Sequence, residues 1–391
     1  MNSVNAVLNW LERPQPKEFR TAVMPDFFFD RFVRYKGDFD QFSKQASEVV
    51  RHKGGSIDNV SQIDFRGGNA ANTAAALATL AVSVCPIIET DSFGVALLQH
   101  YLKPLKVDLS HVSTKGKSPI TTALEFTQKG NRVNLMLRDT GSLANYGPKN
   151  LTSEDYQLLA ATDVVCVFNW AGTRRYGTSF AETVFHFVKT KGRGKTYYDT
   201  ADPTPNKDGI PELMKRVLSK DIIDILSLNE NEAIQYATYI SPKHVSAFRK
   251  RQKKLEKLAL ACAAILAEHV SARIDLHTTA YSATLRKNTK PRIVPSFKVK
   301  VRRATGAGDA WNAGNIYAEQ QGFSDETRLA FANSVAACYI SSPSATHPTL
   351  KQLKHFLENR PQDRNQDAEQ AQTYRKRQAR EHSFSLQHFE G

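Results

Sequence analysis

The chain has 391 residues, of which 41% are hydrophobic and 24% charged, so it is long enough to bury a full hydrophobic core within one large α/β domain. Its four cysteines are widely spaced and form no Cys-x-x-Cys pair, which excludes a disulfide framework and a cysteine-rich zinc site. The sequence has no run of about 18 apolar residues, and its first residues lack the pattern of a signal peptide. We therefore expect a cytoplasmic protein with no membrane partner.

The net charge of +14 raises the question of a nucleic-acid partner. Much of the excess lies in residues 243–257 and 375–380. Neither segment alternates basic residues with aromatic side chains on which bases could stack. We interpret both segments as solvated helix faces, so a nucleic-acid partner is disfavoured.

The first part of the chain predicts an extension followed by a lid. Residues 1–20 are polar and carry little core-forming pattern, and the alternation in residues 56–65 is typical of a strand. TTALEFTQ and RVNLMLR, joined by Lys129-Gly130-Asn131, predict a β-hairpin. Because few helical patterns lie beside them, these strands, near residues 31–65 and 118–138, predict a small separate sheet that covers the site.

From residue 164 onward, apolar β-rich runs alternate with helical patterns. VVCVFNW, KTYYDT, IIDILSLN and SARIDLHTT are predicted strands, separated by a helix near residues 179–189 and by one long amphipathic helix that ends at Ala267. This order predicts a mostly parallel sheet with helices on both faces, within a domain that spans residues 21–360. Ligands bind such sheets at the carboxyl ends of the strands. Residues 361–391 are polar and Gln-rich and predict a tail.

The strongest chemical signal is ATGAGDAWNAG at residues 304–314, between the strand-like FKVKV and a helix. Gly306, Ala307 and Gly308 have almost no side chain, so their backbone N–H groups and the positive end of the helix could hold an anion. A carboxylate at Asp309 could then accept the proton of a hydroxyl that attacks a bound phosphate. The competing interpretation is an ordinary tight turn with an acid that complements the helix dipole.

This segment resembles the second signature of the ribokinase family, also called the phosphofructokinase-B family of carbohydrate kinases. There the aspartate of GAGD is the catalytic base, and the small residues before it form the anion hole. FRGGNAANTAAALATLA at residues 65–81 resembles the first signature, which contacts the sugar and implies Gly67, Gly68 and Asn72. The resemblance implies a three-layer α/β/α ribokinase-like fold with a β-sheet lid. It also implies transfer of the terminal phosphoryl of a nucleotide, usually ATP, to a hydroxyl of a sugar or sugar derivative.

Other motifs extend the resemblance. SLNENEA resembles the Asn-x-x-Glu motif that holds the Mg²⁺ of the nucleotide largely through water, which implies Asn229 and Glu232; a capping box is the competing interpretation. In MPDFFFDRFV, Asp30 would be the carboxylate that binds substrate hydroxyls, unless it is a turn or cap residue. The nucleotide is expected to contact three further residues, Thr305, Asn333 and Asp199.

The sequence also departs from the family pattern. Arg303 stands where many members have an aspartate that helps to hold potassium, and its fixed charge predicts activity without potassium. Ala280-Tyr281-Ser282 replaces a strand-end glycine beside the nucleotide, which leaves ATP or ADP open as the donor. Arg132 and Arg138 could meet a phosphorylated sugar or could be ordinary exposed strand arginines. A homodimer through the lid is also expected from the resemblance.

Three alternatives remain open at this stage. One is a nucleoside kinase of the same fold, which would differ in the pocket under the lid. The others are a non-catalytic sugar sensor and a nucleic-acid-associated regulator, because a fold alone does not determine function.

Overall fold

The structure is a computed structural model that describes residues 3–359 except residues 106, 129, 303, 343 and 345, and only the backbone at residues 131 and 132. The hypotheses on Arg303, on the Arg132 side chain and on the tail at 361–391 therefore lie outside the described residues. In the described part of the chain, no helix is both long enough and apolar enough to cross a membrane.

The strands follow one another along the described chain. They are β1 (Arg20–Met24), β2 (Phe28–Arg34), β3 (Ser61–Gly67), β4 (Ser83–Pro86), β5 (Ile88–Glu89), β6 (Val112–Ser113), β7 (Ile120–Gln128), β8 (Asn131–Asp139), β9 (Val164–Phe168), β10 (Lys195–Asp199), β11 (Ile225–Leu228), β12 (Arg273–His277), β13 (Tyr281–Leu285) and β14 (Arg292–Pro295).

The helices connect these strands. They are α1 (Ser3–Glu12), α2 (Phe39–Arg51), α3 (Asn69–Thr79), α4 (Ser92–Leu102), α5 (Ser153–Ala161), α6 (Gly177–Lys191), α7 (Ile210–Leu213), α8 (Glu230–Ile240), α9 (Pro242–Arg251), α10 (Leu255–Ala267), α11 (Ala307–Gln320), α12 (Asp325–Ser341) and α13 (Leu350–Glu358). Shorter helical turns lie at Lys103–Leu105, Gly141–Asn145, Pro148–Asn150, Thr204–Gly209 and Met214–Leu218.

An eight-stranded sheet forms the middle layer, in the order β14-β13-β12-β11-β10-β9-β1-β4. From β12 to β4 the neighbouring strands are parallel, whereas β13 and β14 are antiparallel. All five residues of β9 are buried, as expected for a strand covered on both faces. Helices α5, α6, α8 and α10 cover one face, and α1, α3, α11, α12 and α13 cover the other. The predicted three-layer α/β/α arrangement is confirmed.

A four-stranded sheet in the order β3-β2-β7-β8 forms the lid. Strands β7 and β8 pair in antiparallel register from Ile120 with Asp139 to Gln128 with Asn131, which confirms the predicted hairpin. Gly130 has a φ of 77°, a backbone conformation that favours glycine in a tight turn. Helix α2 was not predicted, and its Phe39 and Phe42 pack on Phe126 of the lid.

The expectation that residues 1–20 add little to the core is wrong. Val7 and Leu11 of α1 are buried in the apolar cluster of the main domain. The ring of Trp10 makes edge contacts with Tyr317 and Phe331, on α11 and α12. These apolar residues lie about one helical turn apart and form one face of a short amphipathic helix within a segment that is polar on average.

Two predicted elements also differ. The single long helix ending at Ala267 is three helices, because Ser241 is non-helical and Pro242, which has no N–H group, begins a new helix. The strand-like FKVKV is not a strand. The edge strand β14 ends at Pro295, and residues 297–301 have no regular secondary structure.

Candidate active site

The polar residues of the candidate site gather at the carboxyl edge of the parallel strands. Asp26 follows β1, Asn169 follows β9, Asp199 ends β10, Asn229 follows β11 and His277 ends β12. Strands that run in the same direction end at one edge, where the amino ends of α3, α8 and α11 also lie. The order of strands therefore assembles residues that are far apart in sequence.

Asp309 lies in the first turn of α11, and its side chain is held by two amides. Asn69 Nδ2 donates to Asp309 Oδ1 and Asn72 Nδ2 donates to Asp309 Oδ2, each at 2.9 Å. Asn69 and Asn72 lie three residues apart on α3, so their side chains face the same way. Asp309 is 6% exposed. The carboxylate is thus fixed at the junction of the two glycine-containing motifs.

Burial raises the pKa of Asp309 to about 8. The hydrogen bond from Asn72 opposes this shift, while the negative charges of Asp199 and Asp26 add to it. Burial disfavours a charged carboxylate, and nearby carboxylates of the same sign do so as well. Asp309 therefore exchanges its proton near neutral pH.

Asp26, which sequence reasoning missed, anchors the start of α3. Its carboxylate accepts from the backbone N–H groups of Asn69 and Ala70 and from Asn169 Nδ2, each at 2.8 Å. Burial raises the pKa of Asp26 despite these bonds. The position of Asp26 two residues after β1 could have identified it as a site residue, because a side chain there lies at the carboxyl edge of the sheet.

The backbone before α11 forms the predicted anion cradle in part. Gly306 has a φ of 85°, and a Cβ there would lie 2.7 Å from the hydroxyl of Tyr339, so only glycine fits. The amides of Gly308 and Asp309 lie in the first helical turn and have no acceptor within the helix. The expectation for Ala307 is wrong, because its N–H closes a tight turn by donating to Ala304 O at 3.1 Å.

Thr305 comes directly before Gly306, and its backbone is bonded to α12. Its carbonyl oxygen accepts a hydrogen bond from Tyr339 Oη at 3.1 Å, which ties the loop to α12. The role of Thr305 toward a nucleotide stays a prediction.

Asn229 and Glu232 form a reciprocal capping box at the start of α8. Asn229 N and Nδ2 donate to Glu232 at 2.8 and 2.7 Å, and Glu232 N donates to Asn229 Oδ1 at 3.1 Å. Burial, and then the charge of Asp199, raise the pKa of Glu232 well above its usual range. The capping interpretation is confirmed, and the role at a metal stays a prediction.

Asp199 is buried beneath the cradle and bound to Asn312 of α11. Asn312 Nδ2 donates to Asp199 at 2.6 Å, while its Oδ1 accepts from Tyr197 Oη at 2.7 Å and Ser227 Oγ at 2.6 Å. Burial, with the charge of Asp26, raises the pKa of Asp199. Asn312 was missed because only the fold places it beside β10.

The structure does not place the Asn333 amide at the cleft. Asn333 Oδ1 accepts from Trp311 Nε1 at 2.9 Å and from Ser282 Oγ, and its Nδ2 donates to the carbonyl oxygens of Val294 and Pro295. These bonds join α12 to α11, β13 and β14. Asn333 acts here as a buried connection below the site.

His277 is a further residue that sequence reasoning missed. Its ring packs against Trp311 at a centroid distance of 4.9 Å, and its Nε2 is buried with no hydrogen-bond partner. A Cβ on Gly308 would lie 3.4 Å from Cε1 of this ring. Burial lowers the pKa of His277 to about 4, so the ring is neutral beside the cradle.

On the substrate side, the two glycines allow close approach of the chain. A Cβ on Gly67 would overlap the Asp30 carboxylate, which brings Asp30 to the end of β3. Gly68 has a φ of 94°, and a Cβ there would lie 2.8 Å from the Cα of Phe27. Both glycines thus have a packing role, and their contact with a sugar stays a prediction.

In the described residues, no group of three or more His, Cys, Asp or Glu side chains could hold a metal ion directly. Both carboxylate oxygens of Glu232 also accept bonds from Asn229. This arrangement fits a magnesium ion that reaches the protein through water. It does not fit a dedicated cage of protein ligands.

Comparison with solved structures shows the fold. A ribokinase from Cryptococcus neoformans in complex with ADP superposes with a TM-score of 0.67 at 16% identity, covering 87% of this chain and 99% of that one. Arabidopsis thaliana ribokinase, complexed with ribose and ATP, gives 0.64 at 18% identity over 88% and 100%. A nucleoside kinase from Methanocaldococcus jannaschii gives 0.60 at 17% identity over 88% and 100%.

Sequence comparison identifies the family. A 5-dehydro-2-deoxygluconokinase from Lacticaseibacillus casei is 42% identical over 64 residues, a segment that spans 16% of this chain and 20% of that relative. The sequence pattern of the pfkB family carbohydrate kinases matches residues 42–352. With that match over most of its length and a ribokinase-like fold, the chain belongs to the pfkB family of carbohydrate kinases.

Proposed function

We propose that this protein transfers the terminal phosphoryl group of ATP to a hydroxyl of a sugar or sugar derivative, with Asp309 as the base. The observation that carries the proposal is the position of the Asp309 carboxylate, buried at the first turn of α11 and beside the free amides of the cradle. Burial raises the pKa of this carboxyl group, and no cation of the described residues pairs with it, as expected for a group kept for chemistry.

The proposed chemistry uses the Asp309 carboxylate and the free amides beside it. The acceptor hydroxyl loses its proton to Asp309 as its oxygen attacks the phosphorus, and the bond to the nucleotide breaks on the opposite side. The amides of Gly308 and Asp309 and the positive end of α11 stabilise the negative charge on the transferred group. Neutral His277 offers one more hydrogen bond to an oxygen in the cradle. Asp30, on the lid, would bind neighbouring hydroxyls of the acceptor.

Magnesium is part of the proposal. Bound with the nucleotide, it would neutralise phosphate charge, and Asn229 and Glu232 would hold it largely through water. Support comes from Glu232 and Asp199, two buried carboxylates whose mutual repulsion a cation would relieve.

The lid has an expected role in the reaction. It would exclude water, because an open site would hydrolyse the nucleotide.

A nucleoside acceptor is the second candidate, since a nucleoside kinase shares the fold, and the screen below includes both classes.

An activity screen tests the assignment of the base. With sugars, polyols, sugar acids, sugar phosphates and nucleosides as acceptors, we expect the wild-type protein to consume ATP with at least one of them. Asp309→Asn should lower that rate by about 10²-fold to 10⁴-fold, the usual contribution of a general base. Asp221→Asn, an exposed aspartate before β11, is the matched control and should retain full activity. Equal rates in wild type and Asp309→Asn would exclude Asp309 as the base.

The pKa of Asp309 also predicts a dependence of stability on pH. Its folded value of about 8 lies above the ordinary 3.8, so between these values the folded protein holds a proton that the unfolded chain has released. The contribution of Asp309 to the free energy of unfolding of the wild type therefore falls as the pH rises. Relative to the wild type, Asp309→Asn should gain about 1 kcal/mol per pH unit between about pH 5 and pH 8.

Thermal denaturation across this range measures the difference. A constant offset is expected, because the new amide faces the amides of Asn69 and Asn72, but an offset does not change the slope. Asp221→Asn should follow the wild type. A difference between Asp309→Asn and wild type that stays constant with pH would contradict the raised pKa.

We also propose that the lid pairs two copies of the chain. In the described residues β8 is an open edge strand of the lid, and its Val133, Leu135, Met136 and Leu137 are 42%, 45%, 52% and 55% exposed. An apolar strand edge of this kind is a template for pairing with another chain.

Sedimentation velocity tests this pairing. The wild type should sediment as a dimer, and the double variant Leu135→Lys with Leu137→Lys as a monomer. Leu255→Lys is the control, because Leu255 is also 55% exposed but lies on α10. A wild-type monomer at micromolar concentration, or a double variant that remains dimeric, would refute pairing through β8.

A further inference from the structure

Three arginines, one on the lid and two on the loop after β9, form no salt bridge within the described part of the chain. No carboxylate of the described residues pairs with the guanidinium groups of Arg138, Arg174 or Arg175. Arginine side chains on a surface commonly lie near a carboxylate, and other cations of the lid do form such salt bridges. The paired lid cations are Arg31 with Asp64, Arg34 with Glu125 and Lys117 with Asp139.

Arg138 lies in the same row of the lid as the proposed sugar-binding carboxylate. Asp30 of β2 pairs with Thr121 of β7, which pairs with Arg138 of β8. Residues side by side in adjacent strands point to the same face of a sheet, so Asp30 and Arg138 share a face about 10 Å apart, two strand spacings.

The Arg138 side chain points to the junction between lid and main domain. Its guanidinium carbon lies 5.0 Å from the centre of the Phe28 ring. Phe28 is buried in the apolar cluster of the main domain that includes Leu143 and Trp170. Trp170 follows β9, at the carboxyl edge of the large sheet.

Arg174 and Arg175 come from the loop after β9, at the same edge. The N–H of Arg175 donates to Ala144 O at 3.1 Å, which holds the loop against the turn that follows β8. The Arg175 guanidinium lies over the ring of Tyr176, 5.2 Å from its centre. Arg138 thus comes three residues before the turn Gly141–Asn145, and the backbone of Arg175 is bonded to that turn, so the turn brings these two arginines into one region.

The arginines at this turn are positively charged, whereas the interior of the site is lined by acidic side chains. Asp26, Asp199, Glu232 and Asp309 make the floor of the site acidic. Cations that served only to balance these carboxylates would lie beside them, yet Arg138 and Arg175 contact aromatic rings. Their hydrogen-bonding groups therefore remain available to an anion that enters from the lid side.

We propose that the acceptor carries an anionic group, a carboxylate or a phosphate, at the end remote from its reacting hydroxyl. Arg138 and Arg175 bind this group at the mouth of the cleft while the hydroxyl lies at Asp309. This inference rests on the proposed kinase function and narrows its substrate to sugar acids and sugar phosphates.

The test compares acceptors that differ only in charge. Wild type, Arg138→Gln, Arg175→Gln and Arg34→Gln are assayed with neutral sugars, with the corresponding sugar acids and with the corresponding sugar phosphates. Arg34, which pairs with Glu125 in the same lid, is the matched control. The acid and phosphate arms distinguish the two anionic groups.

We expect the highest kcat/KM with an anionic acceptor. Arg138→Gln and Arg175→Gln should each raise the KM for that acceptor roughly 10-fold to 100-fold, since a hydrogen bond to a charged group is lost, with a smaller change in kcat. Their kinetics with neutral sugars should match those of Arg34→Gln. A neutral sugar as the best acceptor here, a nucleoside as the best acceptor in the activity screen, or an Arg138→Gln variant that behaves like Arg34→Gln would overturn the inference and leave the kinase proposal standing. Failure of every acceptor would reject both.

Discussion

The structure depends on the clamp that Asn69 and Asn72 form on the Asp309 carboxylate. These bonds join residues 240 and 237 positions apart, and they connect the first turns of two helices that pack on the same face of the sheet. Asp26 fixes the start of α3 through its backbone, and so fixes the two asparagines. The position of the proposed base is therefore set by the strand order and by capping.

The clamp holds a buried carboxyl group that no cation of the described residues pairs with. Asp26, Asp199 and Asp309 all have raised pKa values because they are buried near one another. Asp275 of β12 shows the opposite arrangement. Burial alone would raise its pKa, but the charges of Arg273 and Arg328 lower it.

The same sheet thus pairs its structural carboxylate and leaves those of the site unpaired. Such an excess of like charge costs stability, and function at the site offers a reason for it. Magnesium at the floor is the proposed counterpart of this charge, whereas the arginines at the mouth are proposed to bind the anionic group of the acceptor.

Local patterns in the sequence predicted the parts of the site that depend on local chemistry. Small residues before a helix, an aspartate in its first turn and an Asn-x-x-Glu cap are all visible within a few residues. Asp26, Asn69 and Asn312 were missed, because an isolated aspartate or asparagine acquires its partner only when distant strands assemble.

In the fold, too, features that depend on local sequence were predicted and those that depend on distant contacts were not. Alternating strands and helices predicted the parallel sheet, since each element shows its own periodicity. Helix α1 was missed, because its few apolar residues can be recognised as a buried face only once they are seen to pack against α12 and α13. The Ala307 amide was assigned to the cradle from composition alone, whereas the tight turn at Ala304 determines where it points.

A crystal structure with magnesium, a non-hydrolysable ATP analogue and an acceptor would show whether Asp309 is placed to act as the base. We expect oxygens of the terminal phosphate to accept hydrogen bonds from the Gly308 and Asp309 amides. We also expect an acceptor hydroxyl within about 2.6–3.2 Å of the Asp309 carboxylate, the reach of a general base. A terminal phosphate bound elsewhere, or an Asp309 still closed on Asn69 and Asn72 with every hydroxyl out of reach, would contradict this placement.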